Sequence, residues 1–392
     1  MASDEDIRAF IEQQRAAGAF DSSGQFSLDL RKAREKSMHL HEAASGAHAL
    51  LWVQATNYLK PGYVRLGFES AEFQGEVPFG WQEFREILKG GERLPKRQRA
   101  FNRAIAACAG LAQEPAQVTY RHHQHGHFHL NLSTGETQQF QTHAQASDGI
   151  RVYFPRQGSA REHAEEVRQL EKRCGFSPSR PRYENRQLVE ENHEGYRGRP
   201  PCQAAWNQYT HSSYLLAMRQ WEVAPGHVGI LTPSEPSQVP DFHPEHSVFL
   251  AENNQHGPAE GLVAIPLGLE GPGSVRLIYR GVLVEELEWD LGVPGAWAVV
   301  CADGLQTDLS GLKLVHDEAL ERLLKDLRKN TLDLAQHALA QLDAFQLPAF
   351  CSPQPGLLAR LAQWAFPQHT AVDPRACREE IRRRITELSS RP

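Results

Sequence analysis

The repeat of apolar residues along this chain changes several times, and each change marks an element. Residues 4–18 predict a first helix, residues 25–30 a short extended piece and residues 30–40 a second helix. In ALLWVQATNYLKPGYVRLGF, residues 49–68, an amphipathic helical pattern breaks at Pro61 and Gly62 and gives way to a short alternating strand. Residues 64–68 and 71–74 predict a hairpin, followed by helices over 81–88 and 96–109. Alternation then predicts three long strands over 116–132, 138–145 and 149–154, with Ser133-Thr134-Gly135-Glu136 as the turn between the first two. A charged helix over 160–174 precedes extended residues 176–185 and 187–188.

The second half has a different texture. Residues 190–201 and 231–244 are rich in Pro, Gly and polar side chains, and between them lies an aromatic segment from Trp206 to Trp221. That segment reads either as a buried hinge cluster or as a partner site. Strands follow over 247–251, 261–266, 274–279, 282–287 and 296–302, and Arg280-Gly281 makes a tight turn. Residues 315–342 predict one long helix, because Leu320, Leu323, Leu324, Leu327, Leu334, Ala338 and Leu342 recur at three- and four-residue steps. Two shorter helices over 357–364 and 374–388 close the chain. The expected division is 1–190, a connecting segment 191–245, a second domain 246–343 and helices over 344–392.

Composition narrows the class. A chain of 392 residues with a formal charge of −6 and no long run of one sign is expected to fold as two or three units. It does not read as a nucleic-acid or membrane-surface binder. The arginines between 375 and 391 alternate with Glu379, Glu380 and Glu387 at helical spacing, as on a solvated face. The acidic start lacks a leader pattern and no stretch approaches the ~20 apolar residues of a membrane span, so a cytoplasmic location is expected. Six cysteines without a C-x-x-C pair suggest reduced thiols.

The order of elements from 25 to 330 resembles the GHKL nucleotide-binding fold of gyrase, heat-shock chaperones, histidine kinases and MutL. The resemblance implies an α+β, Bergerat-type mixed sheet backed by helices, then a transducer-like α/β domain and a C-terminal helical segment. In that family the first helix carries a water-activating Glu, an Asn for Mg²⁺ and an Asp-Ala pair. Here Leu50, Gln54, Asn57 and Tyr58 stand at the matching places. Leucine accepts no proton from water, and glutamine reaches one methylene too far to copy an asparagine's metal geometry. The adenine-reading D-x-G-x-G is replaced by Phe73-Gln74-Gly75-Glu76-Val77-Pro78-Phe79. Gly149 sits where the family's Gly-Thr strand begins, and Lys313 is the candidate for the transducer lysine that reaches the γ-phosphate. Lys96, Arg97, Arg99 and Arg103 read either as an anion site or as helical surface charge.

These departures imply a non-catalytic GHKL-like interaction or regulatory component of a bacterial multi-protein system, of a defence or stress kind, with a protein partner or a second copy. No cofactor is expected on that reading. The alternative is a divergent ATP-binding switch holding ATP and Mg²⁺ through Gln54, Asn57, Gly75, Gly149 and Lys313. A second alternative is a Zn²⁺ or Ni²⁺ protein. If residues 116–132 form one strand, His123, His125, His127 and His129 share a face, with His143 as a further ligand from the paired strand. A row of donors along one strand points in parallel, and the other reading is an exposed polar face.

Overall fold

The computed structural model describes residues 46–59, 62–90, 94–141, 147–174, 177, 179, 181–184, 186–187, 215–221, 250–254, 261–266, 269, 271–308, 310–344 and 374–389. The expected helices over 4–18, 30–40 and 357–364, His143, Trp206 and most of the connecting segment lie outside the described residues.

The first unit is a mixed α+β layer. Its described strands are β1 (Tyr63–Gly67), β2 (Ser70–Gln74), β3 (Gln117–His122), β4 (Gly126–Asn131), β5 (Thr137–Phe140), β6 (Gly149–Tyr153), β7 (Arg182–Tyr183) and β8 (Arg186–Gln187). They form one sheet in the order β5-β4-β3-β6-β2-β1-β7-β8, antiparallel except where β7 runs parallel to β1. Alternation decides the faces. Val64, Leu66, Ala71, Phe73, Val118, Tyr120, Ile150 and Val152 are buried, while Arg121 and Glu72 pair at 2.7 Å on the opposite side. The close pairing of β2 with β6 requires Gly149, because a Cβ there would lie 2.4 Å from the Phe73 carbonyl oxygen.

Helices α1 (Ala47–Thr56), α2 (Trp81–Lys89), α3 (Lys96–Leu111) and α4 (Ala160–Cys174) cover the buried face. The first of these departs from expectation: α1 is buried at all ten positions rather than amphipathic. It carries apolar residues round its whole circumference, and such a helix belongs inside. Two of its polar members find local solutions: Thr56 Oγ1 donates to the Val53 carbonyl, and His48 lies 3.5 Å from the buried carboxylate of Glu166. Glu166 in turn accepts hydrogen bonds from Arg156 and Tyr183.

A second correction concerns residues 116–132. They form the β3/β4 hairpin, with His123, Gln124 and His125 in its turn, rather than one strand. Asn131 Oδ1 accepts the Ser133 and Thr134 amides, which fixes the following turn where it was expected.

The second unit contains β9 (Leu215–Trp221), β10 (Leu250–Asn254), β11 (Gly261–Pro266), β12 (Ser274–Tyr279), β13 (Val282–Glu288) and β14 (Trp297–Cys301), in the sheet order β10-β9-β11-β14-β12-β13. β9 comes from the expected connecting segment and lies inside the sheet. Its buried Arg219 reaches across to α5 (Glu318–Gln341), donating to Asp333 at 2.8 Å and to Asn330 at 3.2 Å. The α5 stripe is buried from Leu320 to Ala338, and Thr331 continues it by bonding its hydroxyl back to the Leu327 carbonyl. The helix starts at 318 because the Asp317 carboxylate caps the amides of Ala319 and Leu320. Helix α6 (Pro374–Ser389) adds Ile381 and Ile385 to this core. No helix among the described residues is long and apolar enough to cross a membrane.

Candidate functional site

The two units meet where α1 ends. At the β12–β13 turn both Arg280 and Gly281 have positive φ, 49° and 71°, the geometry of a two-residue hairpin turn whose twist suits the strands. Asp303 holds Arg280 in that conformation, accepting its backbone N–H at 2.6 Å and pairing with its guanidinium at 3.1 Å. The Arg280 carbonyl accepts from Asn57 Nδ2 at 2.7 Å, its guanidinium lies 3.9 Å over the Tyr58 ring, and Ser177 donates to Asn57 Oδ1. Arg173 of α4 adds a bond to the Leu283 carbonyl. Asn57 is therefore committed to joining the units.

Beside this joint is a cavity of about 350 Å³. The first unit lines it with Leu51, Gln54, Tyr58, Lys96, Arg99, Ala100 and Arg103; the second lines it with Tyr279, Leu305, Gln306 and Thr307. Three cations thus face one space from successive turns of α3. Among the described residues, the side chains of Lys96, Arg99 and Arg103 have no hydrogen-bonding or ion-pair partner. Burial pushes the Arg103 pKa down, Arg99 adds to that, and Tyr279, Asp308 and Tyr58 oppose it. Burial likewise pushes the Tyr279 phenol up, and its hydroxyl lies 3.5 Å from that of Tyr58. Gln54 is 4% exposed and its amide nitrogen has no partner among the described residues. An unsatisfied buried donor costs about 1–3 kcal/mol. The lining thus offers positive charge, hydroxyls and a donor without an acceptor among the described residues; no carboxylate is among the described lining residues. Chemically it suits an anion of phosphate or polyphosphate type, in a volume typical of small-molecule sites.

The residues singled out from sequence separate. Gln54 lines the cavity and Asn57 stands next to it, whereas Gly75 and Gly149 pack around Phe73 at the ends of β2 and β6 and belong to the sheet. Lys313 is exposed on the turn closed by the Thr307–Leu314 bridge and does not line the cavity. Arg97 projects elsewhere on α3, 5.8 Å over the Phe79 ring. Leu50 is fully buried. Tyr279, Gln306 and Thr307 gave no local signal, because only the folded arrangement brings them to α3.

The four histidines also separate. His127 and His129 lie on β4, where His129 stacks on Phe140 at 4.0 Å and meets Thr119 Oγ1 at 3.0 Å. His123 and His125 sit in the turn. There His122 and Asp148, which the strand reading left out, come close to His123. Gly126, directly after His125, is the sequence sign of that turn.

No family model and no curated protein matches the chain. Among solved structures it is similar to a crystal structure of the B subunit of the DNA gyrase from Myxococcus xanthus, at 9% identity and a TM-score of 0.39, over 76% of this chain and 93% of that one. A likeness this distant identifies no residue of the site.

Proposed function

We propose that this chain is a non-catalytic, GHKL-like regulatory protein that binds a phosphate-bearing small molecule between its two units and transmits occupancy as a change in how those units are held. The observation that carries the reading is the cluster of Lys96, Arg99 and Arg103, unpartnered among the described residues and facing Gln54 with its unpaired amide. Arg103 is desolvated there and only partly offset by Asp308, while Lys96 and Arg99 stand exposed at the rim, and an anion answers all three charges. Because the lining comes from both units, an occupant contacts α3 and residues 305–307 at once and couples them. The absence of turnover is argued from Leu50: at the place where the family pattern puts a base stands a buried aliphatic side chain.

The test is a calorimetric titration of the chain with ATP–Mg²⁺ and with inorganic pyrophosphate, followed by a phosphate-release assay on the saturated complex. Saturable binding without release above the uncatalysed rate is expected. Absence of binding to both, or release that tracks protein concentration, overturns the reading.

A further inference from the structure

A second cluster lies at the tip of the β3/β4 hairpin, apart from the cavity lining. The antiparallel register of β3 with β6 pairs Arg121 with Gly149, which brings the next residue of β3, His122, alongside the residue before β6, Asp148. His123 follows in the turn. Its backbone N–H donates to Asp148 Oδ1 at 2.7 Å and its Nδ1 lies 2.6 Å from Asp148 Oδ2. One donor atom from each of His122, His123 and Asp148 falls within 4.8 Å of the others. His125 stands beside the group, with its ring centroid 4.4 Å from that of His122.

We propose that His122, His123 and Asp148 form a three-ligand binding site for a divalent transition metal of the Zn²⁺ class, its fourth position left to solvent. Convergence separates this group from a row along one strand: its donors come from a strand end, a turn and the neighbouring strand's entry. Two imidazoles and a carboxylate suit Zn²⁺, Co²⁺ or Ni²⁺, whereas Ca²⁺ and Mg²⁺ prefer all-oxygen shells. Tetrahedral Zn²⁺ with ligands at about 2.0–2.2 Å sets donor atoms roughly 3.3 Å apart. The His123–Asp148 pair at 2.6 Å therefore opens slightly and the wider separations close. His123, with its side chain 63% exposed, is free to make that movement.

The surroundings supply the outer shell. His122 is 6% exposed; its Nδ1 accepts the Gln124 amide at 3.0 Å in the turn, and its ring also hydrogen-bonds to the Val77 backbone. Ligation through Nδ1 releases the Gln124 amide, and the Val77 backbone contact is of the kind that commonly orients a metal-bound imidazole. Asp148 is held in place by the His123 amide. Bound metal would fasten the hairpin tip to the entry of β6.

The test is equilibrium dialysis of the full chain, free of any polyhistidine tag, against ZnCl₂ with elemental analysis, repeated with Co²⁺ to read the coordination from its visible absorption. One Zn²⁺ per chain is expected. His123→Gln, at an exposed position, and the near-isosteric Asp148→Asn should each weaken uptake at least about tenfold while circular dichroism stays unchanged. The double variant His127→Gln/His129→Gln should bind as the parent does. No saturable uptake, uptake indifferent to the first two substitutions, or uptake lost only in the β4 double variant overturns the proposal.

Discussion

Replacing Arg103 by methionine separates a ligand-binding cation from a structural one, because the two roles give opposite signs. The guanidinium lies deep in the joint: a Cβ added at Gly311 would sit 2.3 Å from its Nη1, and burial already lowers its pKa. In the ligand-free protein this charge is a desolvation cost, offset only in part by attraction to Tyr279 and Asp308. Methionine keeps the unbranched apolar stem and removes the charge. The ligand-free protein should then melt at the same temperature or a few degrees higher. The complex loses a charge-assisted hydrogen bond of about 1.5–3 kcal/mol, which corresponds to a Kd weaker by roughly 10- to 150-fold. Calorimetric titration with ATP–Mg²⁺ and differential scanning of the free protein read the two quantities. Arg97→Met is the control: it removes a charge from the same helix at a half-buried position over Phe79, outside the lining, and should change Kd less than about threefold at physiological salt, where charges away from the site are screened. A large fall in the melting temperature with unchanged affinity would refute the argument and make Arg103 a structural residue.

Gly311→Ala places a Cβ at φ 75° against the Arg103 guanidinium, so it should lower the melting temperature and weaken anion binding together, with strain of about 1–3 kcal/mol; calorimetry and titration of one preparation check both. Asn57→Ala removes the bond to the Arg280 carbonyl and leaves that acceptor unpaired, at a cost of about 1–3 kcal/mol, and limited proteolysis should show the joint between the units opening more often. Hydrogen bonds from Arg383 and Arg384 hold the Glu380 carboxyl at about 2, well below the usual carboxylate range. Its folded-state pKa is depressed, so its contribution is complete above about 4.3, the unfolded value, and is lost as pH falls through the folded one. Thermal melts from pH 5 to 2 should therefore show a smaller acid loss in Glu380→Gln than in the parent, and the difference should shrink in high salt.

Where local periodicity decides structure, the chain is readable. The helix over 160–174 and the strands over 261–266 and 274–279 stand where their patterns put them, and the α5 stripe is interrupted only by Thr331, which satisfies its own hydroxyl. Three features escape a local reading for identifiable reasons. Helix α1 is covered on every side, so no polar face announces its depth. The alternation through 116–132 hides a reversal because histidines continue the pattern through the turn, and only Gly126 breaks it. β9 joins the second sheet by pairing with β10 and β11, and its Arg219 is satisfied by Asn330 and Asp333 of α5, more than a hundred residues later. The candidate site is harder still. Lys96, Arg99 and Arg103 look like an ordinary charged helix surface until the turn at 305–307 closes over them, and nothing near 96–103 signals that closure.

The central claim, that an anion held by α3 joins the two units, is tested most directly by a crystal structure of the full chain grown with ATP–Mg²⁺. The account predicts phosphate density within hydrogen-bonding distance of Arg99 and Arg103, with Gln54 Nε2 paired and Gln306 or Thr307 in contact from the second unit. Phosphate bound elsewhere, with Lys96, Arg99 and Arg103 still facing only solvent, would contradict it.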